Sequence, residues 1–102
     1  MSEHVQIREL ADHVGDEVSV LGWVHNLRSS GKIAFLIVRD GTGLVQGVLS
    51  AGDVSPEVWS RLEGLDYEAS VKLRGSVRED KRAPGGYELS LTELEVVGPS
   101  AE

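Results

Sequence analysis

The sequence predicts a mainly β domain: a five-stranded Greek-key barrel with one helix ahead of it and a second between its third and fourth strands. Three observations carry this. Runs of period-2 alternation, rich in Val, Leu and Ile, recur five times between Glu17 and Val97, with Gly-, Ser- and Asp-rich turns between them. One well-punctuated helical stretch interrupts these runs, after the third. Finally, the first run holds a glycine in its middle, Gly22, where a small barrel's strand must bend or bulge to turn a corner.

In chain order, Ile7, Leu10, Ala11 and Val14 fall at i, i+3, i+4 and i+7, which predicts a short amphipathic helix over 6–14 ended by Gly15. His4 and His13 are expected at the surface, since no cysteine and few carboxylates stand at ligand spacing beside them. The first barrel strand, Glu17–Leu27, alternates Val18, Val20, Gly22 and Val24 with Ser19, Leu21, Trp23 and His25; Trp23 is expected to pack within the barrel. Arg28 to Lys32 (RSSGK) reads as a polar, basic turn.

The second strand, Lys32–Arg39, is apolar on both faces. Ala34, Leu36 and Val38 form one set and Ile33, Phe35 and Ile37 the other, so one set fills the barrel and the other faces outward. Asp40 to Gly43 turns tightly into the third strand, Leu44–Leu49, where Gln46 shares a face with Leu44 and Val48. Ser55 caps a helix, Pro56 takes its first turn, Glu57 suits its dipole and Gly64 ends it. Its Val58, Trp59, Leu62 and Leu65 are placed to close the barrel bottom.

The fourth strand, from about Ala69 to Arg78, points Val71, Leu73, Gly75 and Val77 one way. After the turn Glu79–Gly86 comes the fifth, Tyr87–Val97. Its inward set shifts from Leu89 and Leu91 to Leu94 and Val96, which places a bulge near Thr92 and Glu93. Three strands, a helix and two strands is the order of the oligonucleotide-binding (OB) fold, whose binding surface is the outward face of strands two and three with the loops joining strands one to two and four to five. An SH3-like barrel has as many strands, but the capped helix between strands three and four favours the OB-fold.

Composition narrows the function. The 102 residues make one domain, 1–102, with the barrel over 17–98; 40% apolar and 26% charged is ordinary for a folded chain. With no cysteine there is neither a disulfide framework nor a thiolate metal site, which fits a reducing cytoplasm. No apolar run approaches the ~20 residues of a membrane span, and the N-terminus lacks a signal-peptide core. The net charge of −7 argues against indiscriminate nucleic-acid binding. Residues 21–50 nevertheless carry Arg28, Lys32 and Arg39 against Asp40 alone, and Arg78, Lys81 and Arg82 cluster near the other loop. A basic face for a specific contact and a mixed, solvated surface both fit that distribution.

No G-x-S-x-G, P-loop or H-E-x-x-H pattern appears, and the glycines of DGTG and APGG sit at turns, so the isolated chain is not expected to be an enzyme. Phe35, if outward, offers a flat platform for a base; Gln46 carries both a donor and an acceptor for a base edge; Arg28 and Lys32 could hold phosphates or a base. Spacing alone leaves open that Phe35 is a core residue and Gln46 an ordinary surface amide.

The run HVGDEVSVLGWVHNLRSSGKIAFLIVRDGTGLVQGVL, with REDKRAPGGYELSLTELEVVG after it, resembles the anticodon-binding domain of the class IIb aminoacyl-tRNA synthetases. The resemblance rests on G-W-V-x-x-x-R, then F-L-x-x-R-D-G-x-G, then V-Q, and its short S-S-G-K turn is most similar to the asparaginyl enzymes, with the aspartyl enzymes next. It implies that Phe35 stacks on the middle anticodon base, a uridine, and that Gln46 hydrogen-bonds the first base or that uridine. It further implies that Arg28, with Lys32 and the rest of its turn, contacts the anticodon and discriminates the third base, and that Arg78 lies in the second RNA-contacting loop. The expected partner is the anticodon loop of an asparagine tRNA, with an aspartate tRNA the alternative. ATP and Mg²⁺ would belong to a separate catalytic domain, so none is expected here. Family dimerisation would reside largely in that domain too, leaving this barrel an excised or free-standing monomer.

Overall fold

A computed structural model describes residues 3–62, 65 and 69–98, apart from the side chains of Glu3 and Pro84. The five predicted strands form β2 (Glu17–Ser30), β3 (Ile33–Arg39), β4 (Leu44–Ser50), β5 (Ser70–Glu79) and β6 (Tyr87–Gly98), preceded by a two-residue β1 (Glu3–His4). Hairpin pairings join β2 to β3, β3 to β4 and β5 to β6. Antiparallel β2–β5 and parallel β4–β6 pairings close the ring. This is the mainly β OB-fold barrel, and β1 adds only a short parallel edge to β2.

Alternation decides the core. Val18, Val20 and Val24 of β2, Ala34, Leu36 and Val38 of β3, and Val45 and Leu49 of β4 point inward and are fully buried. Val71, Leu73 and Val77 of β5 and Leu89, Leu91 and Leu94 of β6 complete the interior. Val96, expected inward, is 43% exposed. The bulge expected near Thr92 is present: Arg74 pairs Glu93 and Gly75 pairs Leu91, leaving Thr92 as the extra residue.

The first barrel strand turns its corner where expected but carries its bulge elsewhere. Its corner lies at Gly22 and Trp23, where β2 passes from β5 to β3; a Cβ on Gly22 would stand 2.5 Å from the Arg39 carbonyl oxygen, so close backbone approach requires glycine there. The bulge itself falls three residues on, at His25, between the pairs Val24–Val38 and Asn26–Ile37. One extra residue reverses the side-chain parity of everything after it. Before it the even-numbered residues point in; after it Leu27 turns toward the core and Arg28 turns out.

Both helices are shorter than expected. Ser55 caps α1 (Pro56–Ser60), its Oγ accepting from the Val58 N–H at 3.2 Å, and Val58, Trp59, Leu62 and Leu65 pack on the core as foreseen. Gly64, expected to end this helix, lies outside the described residues. The N-terminal segment is a 3₁₀ helix over Ile7–His13, not an α-helix over 6–14. At three residues per turn Ile7 and Leu10 share the buried face, while Ala11 and Val14 leave it; Val14 is 48% exposed.

Tertiary contacts anchor its start. Asp40, in the β3–β4 turn, accepts from the Ile7 N–H through Oδ2 at 2.8 Å, and Thr42 Oγ1 accepts from the Arg8 N–H at 3.1 Å. Partial burial opposes ionisation of Asp40. Hydrogen bonds from the Thr42 hydroxyl and from the backbone of Ile7, Thr42 and Gly43 outweigh it, holding the carboxyl below its usual range.

Candidate nucleic-acid interface

Cross-strand register builds one outer face on β2, β3 and β4. Directly opposed residues share a side of a sheet. The register places Arg28, Phe35 and Val48 in one row, Asn26, Ile37 and Gln46 in the next, and Trp23, Arg39 and Leu44 beyond. Phe35 is half-buried on this outer side, not in the core, because Ala34 and Leu36 take the interior. The bulge at His25 brings Arg28 to the same side, with its guanidinium carbon 5.0 Å from the Phe35 ring centroid. The expected turn at 28–32 is therefore corrected: Arg28 to Ser30 continue β2, and only Gly31 and Lys32 turn. Gly31 takes a φ of 62° there, and Lys32 is exposed at the hairpin's end.

Gln46 stands diagonally across from Phe35, and its Nε2 donates to Glu88 Oε2 at 2.9 Å. Arg78 donates to the other carboxylate oxygen, Oε1, from Nε at 2.9 Å and also from Nη2. Glu88 is only 4% exposed, whereas the Arg78 side chain is 56% exposed. Pairing accounts for this: Gln46 and Arg78 both lie opposite Glu88, on β4 and β5. The structure thus gathers Arg28, Phe35, Gln46 and Arg78 on one side of the barrel and leaves Lys32 at its rim.

Sequence reasoning missed Glu88. Its outward parity in YELSL reads as surface, and only the parallel β4–β6 register, which turn spacing does not reveal, covers it. Trp23, expected within the barrel, is another correction. It is 40% exposed on the outer face with the Arg39 guanidinium 5.4 Å from its ring, because the strand's corner turns it away from the core. The signal was available in Gly22 and Val24, the inward neighbours on either side.

This face can present a flat ring backed by a guanidinium, a carboxamide oriented by a carboxylate, and cations at its edges. Stacking, base-edge hydrogen bonding and phosphate contact are the three interactions that single-stranded RNA offers.

The family model described as "OB-fold nucleic acid binding domain", for tRNA anticodon binding, matches residues 18–97. Asparagine--tRNA ligase of Desulforamulus reducens is 54% identical over 96 residues, which are 94% of this chain and 22% of that protein. The crystal structure of asparaginyl-tRNA synthetase from Pyrococcus horikoshii superposes with a TM-score of 0.87 at 38% identity, covering 100% of this chain and 24% of that one. A putative aspartyl-tRNA synthetase from Leishmania major gives 0.83 at 25% identity, covering 97% and 21%. The matched region is thus about a fifth of the length of the curated relatives. The chain belongs to the tRNA anticodon family of OB-fold nucleic acid binding domains and is homologous over its barrel to the asparaginyl-tRNA synthetases.

Proposed function

We propose that this barrel reads the anticodon loop of an asparagine tRNA, serving a ligase that joins asparagine to that tRNA with ATP and Mg²⁺ in a separate catalytic domain. The observation that carries the reading is the cluster of Phe35, Arg28 and Gln46 on one outer face, aligned by register and by the His25 bulge. Phe35 receives the middle base, a uridine, on its free side while Arg28 backs the ring. Gln46, one residue pair away, hydrogen-bonds that base or the first. Lys32 lies at the hairpin tip where the strand of RNA leaves the face, and Arg78 borders it on the β5 side.

Such an enzyme works in the cytoplasm as a homodimer assembled through its catalytic domain, with the barrel monomeric by itself. The test is a binding titration of this chain against anticodon stem-loops. The expected result is preference for G-U-U over G-U-C, the aspartate anticodon, and over scrambled loops. Preference for G-U-C would assign the barrel to an aspartyl enzyme. Equal affinity for all loops would mark a general single-strand binder, and no binding at low salt would end the proposal.

A further inference from the structure

The proposed RNA contacts leave one corner of the barrel unused, the place where β2 turns from β5 to β3. Of the seven large apolar side chains that stand exposed among the described residues, Leu21, Trp23, Val96 and Val97 gather there. Leu21, Trp23 and Val97 wall a groove of about 250 Å³, and its floor is Gly22 and the buried Val71. We propose that this groove is a docking surface between parts of one chain: it seats apolar side chains of the domain that follows the barrel in an asparaginyl-tRNA synthetase. The proposal rests on the reading of the barrel as part of such a ligase and adds the surface that joins the two parts.

Register brings the groove to the place where the backbone leaves the barrel. Trp23 pairs Ser70 across β2 and β5, and Ser70 pairs Gly98, the last residue of β6. Two strand spacings of ~4.8 Å put the Trp23 and Gly98 backbones about 10 Å apart. The β5–β6 ladder slips between Ser70 and Val71 and passes over Val97, which is 59% exposed at the groove's edge. The barrel is homologous to the N-terminal region of the asparaginyl-tRNA synthetases and spans 22% of one such relative. In those proteins most of the chain lies beyond the position of Gly98, and its first residues start within reach of the groove.

The lining favours protein over RNA. Its one charged member among the described residues is Asp40, partly buried yet held ionised by hydrogen bonds from Thr42 and Ile7, and a carboxylate opposes a phosphate backbone. A second copy of this chain suits the groove no better, because each copy carries a net charge of −7 and would meet its like. Contacts between domains cover roughly 600–1,500 Å², more than this groove alone. The neighbouring hollow lined by His4, Val5, Gln6 and Glu9 shares Leu21 and Asp40 with it and extends the surface.

The test compares this chain with a full-length ligase in which it replaces the matched region of the Desulforamulus reducens enzyme; charging of tRNA reports that the hybrid is assembled. The Pyrococcus horikoshii enzyme is the second host if the first does not assemble. Hydroxyl-radical footprinting reads side-chain exposure in each protein. In this chain alone Leu21, Trp23 and Val97 should label as exposed residues. In the hybrid their labelling should fall severalfold, while Ile33, exposed at the far hairpin, keeps its own. Leu21→Lys combined with Val97→Lys should leave stem-loop affinity of this chain unchanged. In the hybrid the same pair should return Trp23 to the labelling of the isolated chain and open the junction after Gly98 to limited proteolysis. Leu21→Ser alone serves if the pair unfolds the barrel.

Equal labelling of the groove in both proteins would overturn the proposal. So would protection in this chain alone on adding an anticodon stem-loop, which would give the groove to RNA. Protection that grows with the concentration of this chain, with a dimer in sedimentation, would give it to a second copy. A stem-loop titration of the same samples reports the anticodon reading separately. A wild-type chain that prefers no loop removes that reading, whereas full labelling in the hybrid removes only the docking.

Discussion

Replacing Phe35 by alanine separates binding from folding, because the ring lies on the outer face. Its strand neighbours Ala34 and Leu36 are fully buried. A core phenylalanine cut to alanine costs about 3–5 kcal/mol. Phe35 is half-buried and its chief partner above the sheet is Arg28, at 5.0 Å from the ring. A partly exposed cation–π contact contributes about 0.5–1 kcal/mol, so with some lost packing on Val48 a stability loss of about 1–2 kcal/mol is expected. Loss of one stacking platform should weaken loop binding by about 1–3 kcal/mol, roughly 5- to 150-fold in Kd. Urea unfolding at unchanged m-value, alongside a stem-loop titration, reads both quantities. Leu36→Ala is the control: its fully buried side chain should cost about 2–5 kcal/mol of stability, with Kd nearly unchanged for the folded fraction. A Phe35→Ala protein that loses stability on the Leu36→Ala scale yet binds normally would refute the outward-platform argument.

Gln46→Ala should flatten base preference more than it lowers affinity for the preferred loop, checked by titration with each middle-base variant; uniform weakening would contradict a reading role. Asp40→Asn keeps an acceptor for the Ile7 N–H but not the charge. Because the folded-state pKa of Asp40 is depressed, the wild type's advantage is complete above the unfolded value of about 3.9 and is lost as pH falls through the folded one. Unfolding curves of the two proteins should accordingly converge in acid, whereas a gap that persists there would exclude Asp40 as its source. Gly75→Ala should cost several kcal/mol, measurable by thermal unfolding. A Cβ there meets the Ser90 carbonyl oxygen at 2.3 Å, and backbone in a closed barrel has little room to yield.

How far the sequence could be read depended on whether each feature was local. The five strands in their order, the Ser55 cap and the Thr92 bulge follow from alternation and from punctuation within a few residues, and they are present, though the helix is shorter and the first barrel strand longer than expected. The outward set of β3 was equally legible in principle, but alternation supplies two sets without saying which is inside; closure of the barrel on Ala34, Leu36 and Val38 decides it. Longer-range causes were illegible. The start of the N-terminal segment is anchored by Asp40 and Thr42, which accept from its first N–H groups from more than thirty positions away. Arg28 reached the outer face through a one-residue slip at His25, to which no glycine or proline drew attention. Glu88 became a buried carboxylate only when parallel pairing laid Gln46 beside it.

For a barrel that reads RNA as proposed, the same geometry accommodates a net charge of −7. Arg78 is already matched by Glu88, and Arg28 is engaged with a ring, so phosphate neutralisation falls mainly to Lys32, to the exposed part of Arg28 and to Lys81 and Arg82 in the β5–β6 turn. With about four phosphates at most engaged, at ~0.7 per phosphate on a single strand, the slope of log K against log salt should be modest, no more than about 2–3. A general single-strand binder invests in the opposite terms, with many cations and several stacking rings, and gains affinity without choice. In the proposed reading one ring supplies adhesion, and a carboxamide held by the Glu88 carboxylate supplies choice. An acidic body suits that division: it repels RNA that engages the surface by charge alone, and it costs little to a loop whose bases reach the face.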